Sequence, residues 1–160
     1  MTSTAPLVLC AVDFSPASRP AVDQALGWAA ALGAELCLVH VFEAPHYVHP
    51  SLLAQGDEGG PRPLSEIARA QAERAMTELL ASIEDDQQVA IQTELQNGVP
   101  ARVLVELADK RRPELLVLGR HGHGLWGRLV LGSVAEKVVR LASCPVLTLP
   151  PPPKAEVGSG

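Results

Sequence analysis

Five short apolar runs alternate with stretches of helical character, and this alternation constrains the fold more than any other feature. Residues 7–12 (LVLCAV) are continuously apolar, as in a strand buried on both faces. Ser15-Pro16 then offers a helix N-cap followed by proline at the first helical position, and the helical pattern continues to Leu32. Gly33 suits the residue that ends a helix. Residues 36–42 predict a second strand, 64–83 a helix rich in alanine, leucine and glutamate, and 89–95 a third strand. Asn97-Gly98 turns the chain, and Pro100 starts a helix that runs to residue 110. Residues 115–118 predict a fourth strand, 134–142 a helix, and 146–149 a short fifth strand. Residues 45–63, rich in Pro, Gly and His, read as a long loop.

Such alternation implies an α/β fold: an open parallel five-stranded sheet of Rossmann-like type, with right-handed crossovers and helices on both faces. Sheets of this type bind ligands beyond the carboxyl ends of their strands, where the strand order reverses. In the order 3-2-1-4-5 expected for this fold, the reversal lies between the first and fourth strands. Asp13 follows the first strand and Gly119 the fourth, so two sequence-distant features meet at one predicted crevice. The length of 160 residues fits one domain, assigned to residues 1–149. Residues 150–160, proline-rich and then small and polar, read as a disordered tail.

Composition narrows the function. Hydrophobic residues make up 47% but aromatics only 3%, so the core is aliphatic and stacking platforms for bases are scarce. A net charge of -5 argues against a nucleic-acid partner. Cys10, Cys37 and Cys144 are far apart, odd in number and set in or beside apolar runs; they read as reduced, buried thiols. The first residues lack the basic-then-apolar pattern of a signal peptide, and no apolar stretch is long enough to span a bilayer. A cytoplasmic protein without membrane insertion is the expectation.

The segment VLGRHGHGLWGRLVLGSVAEK, from Val117 to Lys137, carries the chemistry. Gly119 and Gly122 are separated by two residues, and nine residues then precede Gly132-Ser133, where a helix begins. A helix start offers unpaired N–H groups and the positive end of its dipole, which favour phosphate oxygens. Glycine lets the backbone approach without a Cβ in the way. Ser133 adds a hydroxyl, and Arg120, His121, His123 and Arg128 supply local positive potential. The segment is not a P-loop, because Gly132 is followed directly by serine rather than by lysine. It is not a dinucleotide fingerprint either, since it follows the fourth strand, and the turn after the first strand has no glycine.

GRHG, nine residues, then GS matches the G-x2-G-x9-G-[ST] signature and resembles the universal stress protein family. AVDFSPAS resembles the family's first strand and turn, GVPARVLVELA its G-x-P turn and third helix, and PELLVLG and SCPVLTLP its last two strands. The resemblance covers residues 8–149 and implies the family's sheet, of the adenine nucleotide alpha hydrolase-like type. Members with this signature are typically small cytoplasmic, homodimeric stress-response proteins that bind ATP. Carried over, it implies that Gly119, Gly122, Gly132 and Ser133 hold the phosphates. Asp13 lies near the ribose or a phosphate-bound Mg2+, and Val41 meets the adenine through its main chain. Val12, Leu118, Arg120 and Val134 complete the walls. The family's dimerisation through last strands implies a homodimer across Val146, Leu147 and Leu149, a run that the expected order puts at an exposed apolar edge.

Plainer roles stand beside these. Ser133-Val134-Ala135-Glu136 is also a capping box, and Asp13 can cap the first helix or pair with a basic residue. His46 and His49 have H-x-x-H spacing but sit among prolines with no cysteine near, which disfavours a metal site. His121 and His123 read as loop residues near phosphate rather than zinc ligands, and His40, within an apolar strand, as a hydrogen-bonded core histidine. DKRRPE reads as a solvated helix end, with Lys110, Arg111 and Arg112 complementing the dipole. Trp126 stands out in a chain so poor in aromatics. No nucleophile–base pair has a recognisable spacing, so the expectation is an ATP-binding regulatory protein with slow or no hydrolysis. The alternative is a nucleotide-free dimeric adaptor with an unidentified protein partner.

Overall fold

The computed structural model describes residues 5–43, 53–55, 61–84, 88–120 and 131–150. In chain order the elements are β1 (Leu7–Ala11), α1 (Ser18–Leu32), β2 (Glu35–Phe42), β3 (Leu53–Gln55), β4 (Pro61–Pro63) and α2 (Leu64–Ala81). They continue with β5 (Ile91–Asn97), α3 (Pro100–Arg111), β6 (Leu115–Gly119), α4 (Ser133–Leu141) and β7 (Val146–Leu149).

The main sheet has five strands in the order β5-β2-β1-β6-β7, and every pair is parallel. Counted along the chain within this sheet, that is the expected 3-2-1-4-5. The pleat sends alternate side chains to opposite faces, which sorts the apolar runs into two layers. On one face Val8, Cys10, Val12, Leu36, Leu38 and Val117 meet α1 and Met76 of α2. Ala21, Ala25 and Ala29 are fully buried, so α1 can lie close to the strands. On the other face Leu9, Cys37, Val39, Leu116 and Leu118 meet α3 and α4, which contribute Leu104, Leu107 and Val138 among others. Both layers are aliphatic, as composition requires. Truncating a fully buried leucine such as Leu9 to alanine in this packing costs about 2–5 kcal/mol.

Helix ends follow local chemistry. Gly33 takes φ 59°, and the Gly33 and Ala34 N–H groups bond the carbonyls of Ala30 and Ala29. Pro100 opens α3 in the first turn, where its missing N–H is not needed.

Some expectations shift. The segment read as one long loop contains a two-stranded antiparallel sheet, with Leu53 opposite Pro63 and Gln55 opposite Pro61. The third strand of the main sheet is Ile91–Asn97, two residues later than expected. The basic end of α3 is not simply solvated. Arg111 reaches back across the sheet, donating to Glu94 Oε2 at 3.0 Å and to Cys37 Sγ at 3.3 Å. Arg112 instead ends the helix in the left-handed region at φ 46°.

Candidate functional site

The strand order reverses between β1 and β6. Ala11 is in register with both Val39 and Leu118, so the carboxyl ends of β1 and β6 finish side by side and β2 runs on to Phe42. Val12 and Asp13, Val41, and Gly119 with Arg120 therefore lie at one end of the sheet. Val12 and Leu118 are buried, whereas Asp13, Val41, Gly119 and Arg120 are half-buried.

Beyond β1 the chain turns tightly. Asp13 Oδ1 accepts from the Ser15 N–H at 3.0 Å and from Ser18 Oγ at 2.8 Å, and Ser18 Oγ accepts from the Asp13 N–H at 3.0 Å. This exchange displaces the expected helix start. Ser15-Pro16 does not cap α1; the N-cap is Ala17, with no side-chain cap bond. Asp13 is thus a turn former tied to the first residue of α1 rather than its cap. Ser18, 4% exposed, was not among the sequence candidates; its placement five residues after Asp13 was the only signal. Phe14 sits at φ 58°, a conformation that costs a non-glycine residue roughly 1–2 kcal/mol. Its ring lies against His40, with centroids 4.4 Å apart. His40 is half-buried, and its Nδ1 is 2.8 Å from the Val12 carbonyl oxygen. A carbonyl can only accept, so Nδ1 carries a proton and donates it.

On the other side of the reversal, the Arg120 N–H donates to the Leu149 carbonyl at 2.7 Å, continuing the β6–β7 ladder. The Gly132 N–H then donates to the Arg120 carbonyl, also at 2.7 Å. That bond brings the far end of the glycine segment back to its near end and stations α4 at the tip of β6. Gly132 is the N-cap, extended at φ -61° and ψ 153°, and no side chain caps the helix. Ser133 is exposed and is already the first helical residue, so the capping box is not formed. The Glu136 N–H is the first to bond back, to the Gly132 carbonyl at 2.8 Å. Helix geometry leaves the Ser133, Val134 and Ala135 N–H groups without intrahelical acceptors. Gly122, His121, His123, Trp126 and Arg128 lie outside the described residues, as do His46 and His49 and the tail beyond Pro150.

Other chemistry is sparse. Among the described residues no three His, Cys, Asp or Glu side chains gather as a metal site. All three cysteines are free thiols. Burial pushes the Cys10 and Cys144 thiols up. It does the same to Cys37, with the Arg111 guanidinium pulling the other way. Each is protonated at neutral pH and is a poor nucleophile. Among the described residues, no helix is long and apolar enough to cross a membrane.

Residues 7–150 match the model of the universal stress protein family. The chain belongs to that family. Universal stress protein MJ0531 of Methanocaldococcus jannaschii is 33% identical over 147 residues, spanning 92% of this chain and 83% of that protein. The universal stress protein UspA from Lactobacillus plantarum shares the fold at a TM-score of 0.71 and 26% identity, over 92% of this chain and 99% of that one. A universal stress protein solved in complex with cAMP is 30% identical, at a TM-score of 0.54, over 92% and 98% of the two chains. Universal stress proteins thus share this sheet, and one of them carries a cyclic adenine nucleotide.

Proposed function

We propose that this universal stress protein binds an adenine nucleotide, ATP with Mg2+, at the carboxyl ends of β1, β2 and β6. The observation that carries the reading is the Gly132–Arg120 bond, which sets the uncapped start of α4 beside the strand-order reversal. N–H donors at a helix start and a positive dipole end suit phosphate oxygens. Gly119, Gly132, Ser133 and Val134 supply that wall, with Gly122 as the further glycine of the signature. Arg120 adds positive charge, and Val12, Leu118 and Val41 line the apolar side. The neighbour solved with cAMP supports the adenine nucleotide class.

The donor set fits the metal as well. Mg2+ is commonly held by one or two carboxylates together with substrate phosphates. The Asp13 carboxylate lies at this end of the sheet, and no all-protein cluster is required. When bound, the ion would neutralise phosphate charge. The reading is a cytoplasmic regulatory role in stress response, with slow or no hydrolysis. Titration calorimetry with Mg-ATP tests it: saturable binding at one site per chain is expected, and no heat at millimolar nucleotide rejects it.

The same reading includes a homodimer through β7. This strand is a sheet edge, and all four of its residues are half-buried. The Leu116 N–H bonds the Pro145 carbonyl and the Arg120 N–H bonds the Leu149 carbonyl. That alternation commits the backbone of Leu147 and Leu149 to β6 and leaves Val146 and Thr148 facing outward. Thr148→Pro therefore removes an edge donor without touching the β6 ladder. Light scattering should show a wild-type dimer and a Thr148→Pro monomer; a monomeric wild type rejects the interface.

A further inference from the structure

The ladder between β1 and β2 stops one rung early, and a side chain stops it. Odd-numbered residues of β2 bond β1: the Glu35 N–H donates to the Pro6 carbonyl, and the Val39 carbonyl accepts from the Val12 N–H at 2.8 Å. The next rung of a parallel ladder would run from the Val41 N–H to the Val12 carbonyl. The register ends instead at Ala11 opposite Val39, and no such bond is made among the described residues. The Val12 carbonyl is taken by His40 Nδ1 at 2.8 Å. The Phe14 ring lies against the imidazole, and the Asp13–Ser18 exchange turns the chain away from β2 directly after Val12.

We propose that His40 is a positioning residue: by occupying the Val12 carbonyl it ends the β1–β2 ladder and leaves the Val41 N–H as a donor directed at the bound nucleotide. The inference rests on the nucleotide reading above for its ligand, but not for its geometry. A strand end that would close on itself is held open by an imidazole. The N–H so released lies at the carboxyl end of β2, beside Val12 and Asp13. An amide donor in a half-buried crevice suits an acceptor nitrogen of a purine ring, and a donor already locked in the sheet could not serve it.

Amide hydrogen exchange on the ligand-free protein tests the geometry. Val41 should exchange about tenfold or more faster than Val39, its ladder-bonded neighbour on the same strand. Equal protection overturns the proposal. His40→Leu removes the competitor, so Val41 should slow as the missing rung forms, and Mg-ATP affinity should fall by about tenfold. His40→Asn places an amide donor near the Nδ1 position and should restore both wild-type values. A merely structural role for His40 predicts lower melting temperatures with unchanged affinity and no such rescue, and that result overturns the proposal too. Should His40→Leu fail to fold, the wild-type exchange and the His40→Asn affinity still decide. If the exchange pattern is as expected but the wild type binds no Mg-ATP, the nucleotide reading has failed rather than the ladder geometry.

Discussion

The two walls of the crevice handle their polar groups in opposite ways. On the β1 side, Asp13, Ser15 and Ser18 bond one another through both main chain and side chain. On the α4 side, Gly132 begins a helix that, among the described residues, no side chain caps. The first wall is an internally bonded turn, although the buried Ser15 Oγ has no partner among the described residues. The second leaves the first N–H groups of α4 without intrahelical acceptors. An internally bonded turn contributes to stability and an uncapped helix start detracts from it, so substitutions on the two walls should separate folding from binding.

The largest effect is expected at Asp13, which belongs to both accounts. Asp13→Ala removes an acceptor from two donors, both on buried serines, and should lower stability by about 1–3 kcal/mol. It should also weaken Mg-ATP binding. Asp13→Asn keeps an acceptor at Oδ1 and should recover most of the stability while leaving Mg-ATP affinity low, as measured by paired melting and calorimetry. Recovery of both would make Asp13 a turn former alone. Ser18→Ala comes next. It should cost about 1 kcal/mol in denaturant titration, because the Asp13 N–H and carboxylate each lose a partner. Its effect on affinity should be smaller than that of Asp13→Ala. Ser133→Ala should be the mildest for folding, within about 0.5 kcal/mol, since the side chain is exposed and caps nothing. It should nevertheless weaken Mg-ATP binding by a few-fold, as loss of one hydrogen bond does. A Ser133→Ala variant that loses stability but keeps its affinity would reverse the contrast between the walls.

Much of the sheet was legible because its signals are strong and local. Continuous apolar runs mark central parallel strands, Gly33 marks a helix stop, and Pro100 marks a start. The β3–β4 pair was not legible, because Pro61 and Pro63 advertise a loop; a proline-bearing strand such as β4 forms a ladder only where no further neighbour is needed. The starts of α1 and α4 were each misplaced for a related reason. Ser15 and Ser133 both look like N-caps, yet Asp13 engages Ser15 and Ser18, and Gly132 takes the cap position ahead of Ser133. A choice among several nearby polar residues is made by tertiary geometry. The same holds for Arg111, whose partner Glu94 is on a strand, and for His40. The residue type announced a hydrogen bond for His40, but only the register reveals that its acceptor lies where a backbone rung belongs.

Arg111 has a consequence for the molecule as a material. The sheet ends in two margins. At one, β5 pairs with β2 over seven residues, the Arg111–Glu94 ion pair buckles it to α3, and Gln92 bonds Glu35 at 2.8 Å. At the other, β7 holds on through four residues, and among the described residues no ion pair fastens it. Opening should therefore begin at β7 and travel inward, with β5 among the last strands to let go. The weak margin is also the one at which the proposed homodimer would form. Association there would reinforce the molecule where it yields first, and its heat resistance would then rise with its own concentration.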